Sequence, residues 1–423
     1  MDQIIQIFDI IFYCLLGLSF IFLLYKFIYG AVAFGKTKEF PNAKVDHKYC
    51  ILIPARNESK VIKGLLQSIL AQDYDMSKVS TYVIVESEND PTCEICKDAG
   101  VNVFVRKKLN LKGKGYALHE AIDYIQNDLK EEFDAFFIFD ADNIISKNYI
   151  KEMNKAYDAG YKMALGYRNS KNWNDGWIAS LSALTFSMLN TFQNKARAKY
   201  GFNILVSGTG FYIDYNIIKE NGGWTFFTLT EDVELSMYST LNNIPTTYVE
   251  KAEFFDEQPT KFKQSWNQRI RWVKGYQQVH KIYDKKLIKS AFTEKENIWT
   301  KIEYSLQIMP ILIFVLTIAF YSISSLTLCI INGIIGNVVW IELLLRLIIV
   351  LCSTYLFLSL YTLLLIIAER KKINLTLPNA IISVLMGPIF MFLYIPIALK
   401  AFSQKEVEWK VIEHSVVIKE ISN

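Results

Sequence analysis

The sequence predicts an α/β domain with a mostly parallel sheet, joined to transmembrane helices. Three observations predict it. Apolar runs long enough to cross a bilayer lie at residues 4–34 and again within 302–402, while about 46–300 contains none. Within that middle block, short β-rich runs alternate with amphipathic helical stretches, the pattern of a parallel sheet covered on both faces. The chain of 423 residues is 52% hydrophobic and 14% aromatic, which excludes a disordered, collagen-like or disulfide-scaffold protein and asks for more than one folded unit. A net charge of only +4, with no long Lys/Arg block, argues against a nucleic-acid partner.

Residues 4–34 read as a transmembrane helix rather than a cleaved signal, because Asp2 opens the chain and Lys36 and Lys38 follow the apolar run. The positive-inside rule then places the N-terminus outside and residue 36 onward in the cytoplasm. Tyr49–Ile53 reads as a buried strand ended by Pro54, and Asn57-Glu58-Ser59 as the opening of a helix with Val61, Ile62, Leu65, Leu66, Ile69 and Leu70 inward. Strands follow at 81–85 and 101–105, and helices near 91–99 and 115–125. The strongest strand is Ala135–Phe139, which ends in Asp140.

After residue 300 come three apolar runs, near 305–331, 338–368 and 376–402. The uncharged turn 332–337 suits the outside, and Glu369-Arg370-Lys371-Lys372 suits the cytoplasm. Gly387-Pro388 and Pro396 interrupt the third run, and Lys400, Lys405 and Lys410 follow it, so it reads either as a plain span or as a re-entrant or interfacial hairpin. Glu342 and Arg346 lie one turn apart, an interfacial ion pair on the simple view and the lining of an exit path on the functional one. Residues 403–423 form a short polar tail. Cys93 and Cys96 make one C-x-x-C, read as a pair of reduced thiols on a helix start, with a redox motif as the alternative.

Ligands of parallel sheets bind at the carboxyl ends of strands, and acidic residues stand there. Asp140-Ala141-Asp142 closes the fourth strand; two carboxylates so placed suit Mg²⁺ or Mn²⁺ shared with a diphosphate, although most D-x-D triplets are solvated turns. Thr230-Glu231-Asp232 reads as a helix cap with acids in its first turn, and equally as the source of a general base. Residues 262–282 form a basic, aromatic amphipathic helix with Phe262, Trp266, Ile270, Val273 and Gln277 along one stripe. It reads as an interfacial anchor, or as a helix that also turns Gln268, Arg271 and Trp272 toward the site.

The ordered set Pro54-Ala55-Arg56-Asn57-Glu58, Gly113-Lys114-Gly115, Asp140-Ala141-Asp142, Ser207-Gly208-Thr209-Gly210, Thr230-Glu231-Asp232 and Gln268-Arg269-Ile270-Arg271-Trp272 resembles the membrane-embedded family 2 glycosyltransferases. These include cellulose, hyaluronan and poly-N-acetylglucosamine synthases and ceramide glucosyltransferase. The resemblance implies a GT-A domain over 46–260, an interfacial region over 261–300, a membrane region over 302–402, and inverting transfer from a UDP-sugar at the cytoplasmic face. It implies Asp232, with Glu231 beside it, as the catalytic carboxylate. Lys114, Asp140 and Arg271 would then bind the nucleotide-sugar, Asp142 with Asp140 the Mg²⁺ or Mn²⁺, and Gly208, Thr209, Gln268 and Trp272 the acceptor. The carboxylate that meets the base is less regular here. Glu86 is the best match, with Glu88 and Asp90 as alternatives. The acceptor is a growing β-linked polysaccharide or, as the alternative, a lipid that takes a single sugar. With about four apolar segments, a polymer channel would call for an accessory subunit or a homo-oligomer, and membrane lipids are partners in either case.

Overall fold

A computed structural model of the chain describes residues 2–307 and 309–405, so the tail, Lys410 included, lies outside the described residues. The chain enters through α1 (Asp2–Ala33) and then builds β1 (Tyr49–Pro54), α2 (Ile62–Leu70), β2 (Val79–Val85), α3 (Thr92–Asp98), β3 (Asn102–Val105) and α4 (Lys114–Asp123). It continues with β4 (Ala135–Ile138), β5 (Ile144–Ile145), α5 (Tyr149–Asp158), β6 (Met163–Ser170), α6 (Trp177–Met188), α7 (Lys195–Tyr200), β7 (Phe211–Asp214), α8 (Tyr215–Glu220), α9 (Glu231–Leu241) and β8 (Thr246–Asp256). Last come α10 (Phe262–Thr293), α11 (Ile298–Ser305), α12 (Met309–Ile334), α13 (Val339–Glu369), α14 (Leu377–Phe392) and α15 (Tyr394–Ser403).

The strands form one sheet in the order β3-β2-β1-β4-β7-β6-β8-β5. The first four are parallel, β7 runs antiparallel to both its neighbours, and β6 and β8 are again parallel. The pleat sorts the side chains. Ile51, Ile53, Val83 and Phe137 pack on one face with Leu65, Ile69 and Met153. Cys50, Leu52, Phe136 and Ile138 pack on the other with Leu118, Ile122 and Leu235. Both faces are covered, so strands of this sheet read as continuous apolar runs.

Two local expectations change. The helix after β1 begins at Ile62, not at Asn57, because Asn57 sits at φ 57° and Asp90 accepts its backbone N–H at 2.9 Å. The unit 46–260 is also not separate from the membrane segments. Residues 177–194 form α6 and a π-helical turn whose Leu181, Leu184 and Phe192 pack with Ala33, Leu365 and Phe390 of the long apolar helices.

Among the described residues, four helical stretches are long and apolar enough to cross a membrane: Gln3–Ala33, Leu312–Ile334, Val339–Glu369 and Leu377–Ser403. The last breaks at Leu393 into α14 and α15, because Pro396 offers no N–H to close the next turn. Glu342 and Arg346 do pair, at 2.6 Å, and Arg346 also reaches Asp9 of α1 at 2.8 Å.

The junction between the sheet domain and these helices is polar and dry. Arg197 of α7 and Glu303 of α11 are both fully buried and bonded at 2.7 Å, and Tyr29 of α1 donates to the same carboxylate at 3.1 Å. Burial alone would raise the Glu303 pKa, but Arg197 and Lys26 outweigh it and the carboxyl is held below its ordinary range. Glu369, at the end of α13, accepts hydroxyls from Tyr167 and Thr191. Breaking a buried pair leaves one charge without compensation, a loss of about 3–5 kcal/mol. Arg197→Met alone should therefore lower the thermal unfolding midpoint sharply, whereas Arg197→Met with Glu303→Leu should recover much of it. A single variant as stable as wild type would contradict this role.

Candidate active site

Of the expected site residues, Asp140, Gly208, Glu231 and Asp232 gather around Lys114. Gly113 ends the preceding loop and α4 begins at Lys114, which aims its ammonium at the carboxyl end of β4. Nζ lies 2.5 Å from Asp140 Oδ1 and 2.7 Å from the Gly208 carbonyl. Burial disfavours the Lys114 charge, yet Asp140, Glu231 and Asp232 outweigh it and its pKa is raised. The ammonium is the protein's own counter-ion to this acidic cluster.

Glu231 and Asp232 open α9, where helix N-termini favour anions. Burial nevertheless dominates: it pushes Glu231 up to about 7, helped by the Asp232 charge and opposed by Lys114 and Arg271. Asp232 is raised as well, by burial, against the Val233 N–H and the two cations. Thr230 stands at the N-cap position but its side chain does not cap; it is buried beneath α10.

α10 reaches this helix start with one stripe of side chains. Arg271 Nη1 donates to the Leu229 carbonyl at 3.3 Å, and Gln278 accepts the Leu229 N–H at 3.0 Å. Between them lies Gly275, where an added Cβ would stand 2.5 Å from Thr230 Cγ2. Gln268 is on the same stripe, since 268, 271, 275 and 278 step by three and four residues. Trp272 leaves this stripe and meets Phe186 of α6 edge-on at 5.6 Å, and the Arg168 guanidinium covers that ring at 3.5 Å.

Part of the stripe expected at the membrane interface is covered by protein, while Phe262 stays 46% exposed. Ile270 packs on Ile397 and Ala401, with Trp266, Val273 and Leu393 around it. Buried Arg269 donates to the Phe390 carbonyl at 3.2 Å, so it closes the C-terminal end of α14. Sequence patterning could not find that role, because α14 is more than a hundred residues away.

Asp142 accepts the Glu257 N–H at 3.1 Å and the Asn143 amide at 3.3 Å. Asp256, at the end of β8, lies behind it. Burial pushes Asp256 up to about 6, against Arg168 and with the Asp142 charge. Arg168 and Asp256 had no signal in the sequence, because the strands that carry them, β6 and β8, were not read there. No group of three or more His, Cys, Asp or Glu that could hold a metal occurs among the described residues. That donor set fits a hard cation that takes its remaining ligands from substrate phosphates and water. Asp142 is the main candidate ligand, because Lys114 already engages Asp140.

Two of the expected residues bond within the protein itself. Thr209 turns its hydroxyl into the D-x-D loop. It is fully buried, accepts the Asp140 N–H at 2.8 Å and donates to Asn143 at 2.5 Å, which fixes the D-x-D loop. Gly208, at φ +84°, contributes its carbonyl to Lys114. Asp90 is no base-contacting carboxylate, since it is buried and caps the Asn57 and Thr92 N–H groups. Glu86 stands at the end of β2, 3.0 Å from Arg56 and 3.6 Å from Arg106, while Glu88 is exposed. Cys93 and Cys96 are free and buried, and burial raises both thiol pKa values.

A sequence family described as "glycosyltransferase like family 2" matches residues 47–275. The chain is 24% identical over 240 residues to a beta-monoglucosyldiacylglycerol synthase of Trichormus variabilis, covering 55% of this chain and 50% of that one. It is 23% identical over 272 residues to the poly-beta-1,6-N-acetyl-D-glucosamine synthase of Staphylococcus epidermidis, covering 61% and 64%. The chain thus spans between half and two-thirds of the length of these relatives. Among solved structures it resembles the mannosyltransferase PcManGT of Pyrobaculum calidifontis, in complex with GDP-Man and Mn²⁺. The TM-score is 0.59 at 14% identity, over 94% of this chain and all of that one. That likeness shows the GT-A-like fold.

The Gly275 contact can be tested directly. Overpacking a tight contact costs about 1–3 kcal/mol. Gly275→Ala is expected to lift α10 from Thr230 and raise amide hydrogen exchange at Leu229–Val233, with exchange in the sheet unchanged. Wild-type exchange at those amides would show that the contact tolerates a methyl group.

Proposed function

Because the chain belongs to glycosyltransferase-like family 2, we propose that it transfers a sugar from a UDP-sugar to a hydroxyl acceptor with inversion at the anomeric carbon. The observation that carries this is the convergence of Asp140, Glu231 and Asp232 on one ammonium, with Asp142 at the same strand end. Asp232 accepts the proton of the attacking hydroxyl, and Glu231 shares the charge of that carboxylate pair. A single base and a single nucleophile give one displacement and hence inversion. Lys114 and Arg271 meet the negative charge that develops on the departing diphosphate, where fixed donors stabilise most. Mg²⁺ or Mn²⁺, held by Asp142 with Asp140 alongside, would supply further stabilisation of that charge when bound. Glu86 receives the base, and Trp272 with Gln268 orients the acceptor.

The acceptor is a growing β-linked saccharide, as with the Staphylococcus relative's polymer. A single transfer to a lipid is the second reading. It is favoured by only four candidate spans among the described residues and by the relative that makes a monoglucosyldiacylglycerol. The catalytic domain lies on the cytoplasmic side, on the strength of Lys36, Lys38 and Arg370–Lys372. Purified protein with labelled donor decides between the acceptors: a ladder of products supports the polymer, and a single lipid-soluble product supports the second reading.

Asp232→Asn should lower turnover by roughly 10²–10⁴-fold with donor affinity nearly intact. Loss of donor affinity at unchanged turnover would assign the residue to binding instead. A raised carboxyl pKa keeps the base protonated to higher pH. In the wild type, the fall of turnover toward acid pH should therefore be centred above the ordinary carboxylate range, with turnover levelling off at higher pH. An acid limb at the ordinary carboxylate range would remove Asp232 and Glu231 from proton transfer.

Asp142→Asn should abolish metal stimulation and weaken UDP binding only in buffers that contain Mg²⁺ or Mn²⁺. Equal UDP affinity of wild type and variant in metal and in EDTA would exclude Asp142 as a ligand.

A further inference from the structure

Arg168 stands near the end of β6 with its side chain only 11% exposed, and its guanidinium is engaged along its edges and on one face. Nε donates to Asp256 Oδ2 at 2.8 Å, and Nη2 donates to the same oxygen. Nη1 donates to the Ser207 carbonyl at 2.6 Å. The flat face lies 3.5 Å from the centre of the buried Phe186 ring, which meets Trp272 edge-on. The strand is built to aim this side chain. The pairing of β6 with β8 shifts between Gly166 and Tyr167, where β8 carries residues 250–252 in excess, and such bulges re-aim the side chains beside them. Asn190 of the π-helical turn also donates to the Arg168 carbonyl, at 2.8 Å.

Each contact leads to a different part of the site. Asp256 closes the turn 256–258 by accepting Gln258 Nε2 at 2.7 Å, and that turn presents the Glu257 N–H to Asp142. Ser207 is followed by Gly208, whose carbonyl accepts from Lys114. Phe186 backs Trp272 from α6. A buried ion pair would need Asp256 alone. Arg168 adds a bond to a loop and a stack on a ring, so three segments distant in sequence share one rigid fork. A guanidinium can do this because its donors lie in one plane and its faces stack, whereas an ammonium is a point charge without a face.

We propose that Arg168 is the positioning residue that sets the acceptor platform, Trp272, against the donor-side groups Asp142 and Lys114. It acts through Asp256, Ser207 and Phe186. The effect on sugar transfer rests on the glycosyltransferase reading above; the mechanical link among the three segments does not.

The test uses the full chain in nanodiscs, as wild type and as Arg168→Lys, Phe186→Leu and Asp256→Asn. UDP with Mn²⁺, followed by calorimetry, probes the donor side. UDP-glucose or UDP-N-acetylglucosamine, whichever the wild type uses, gives turnover at saturating donor. Phe186→Leu cuts the aromatic arm, so turnover should fall by roughly 10–100-fold, the scale of a misplaced reactant, with UDP affinity unchanged. Asp256→Asn cuts the other arm and should weaken UDP several-fold in Mn²⁺ but not in EDTA. Arg168→Lys should show both losses, and adding Phe186→Leu to it should lower turnover no further, because the two act through one contact. In Arg168→Lys, amide exchange should quicken together at 140–143, 207–210 and 270–274, with β1–β3 unchanged. A lower unfolding midpoint for Arg168→Lys beside wild-type turnover and UDP affinity would make the residue a stabilising one and overturn the proposal. Should Arg168→Lys not fold, loss of the same constant in Phe186→Leu and Asp256→Asn overturns it. If the wild type transfers neither sugar, exchange at the three segments still decides the link, and only the glycosyltransferase reading fails.

Discussion

The active site depends on one cation held among carboxylates that would otherwise repel each other. Like charges about 4 Å apart near a protein surface repel by roughly 4 kcal/mol. Asp140 from β4 and Glu231 and Asp232 from α9 all act on Lys114, which also bonds to the carbonyl of Gly208. The lysine is held in turn by the start of α4, and Asp140 by the buried hydroxyl of Thr209. On the proposed reading a diphosphate would add negative charge to this place, and Arg271 would supply the remaining basic contact.

α10 connects that electrostatic problem to the membrane. Its stripe Arg271–Gly275–Gln278 closes on Leu229 and Thr230, its neighbouring face packs on α15, and Arg269 caps α14. The sheet domain is tied to the apolar helices a second time through Arg197–Glu303–Tyr29 and through Glu369.

Much of this was legible in the sequence, and what was missed has physical reasons. Four of the eight strands announced themselves, because a sheet covered on both faces needs continuous apolar runs such as Ala135–Phe139, whereas β5, β6, β7 and β8 were not read. The acidic residues followed strands and helix starts as ligand sites do. α6 escaped notice because it is buried nearly all round, which erases helical periodicity, and because twelve residues are too short to read as a span. The amphipathic stripe of α10 was visible, but its partner was not. Apolar residues at helical spacing say that something covers them, and Ile397 and Ala401 are the cover rather than lipid. Thr209 and Thr230 show the same limit. Their place in motifs was plain, yet whether a hydroxyl faces a substrate or a neighbouring loop depends on contacts distant in sequence.

The central claim is a single displacement at the sugar's anomeric carbon, with Asp232 as the base. The most direct test is the anomeric configuration of the first product formed from an α-linked UDP-sugar, read by proton NMR from the H1–H2 coupling of the transferred sugar. The account predicts a β linkage from the outset of the reaction. An α linkage in that first product would require a second nucleophilic carboxylate at the anomeric carbon and would contradict the assignment of Asp232.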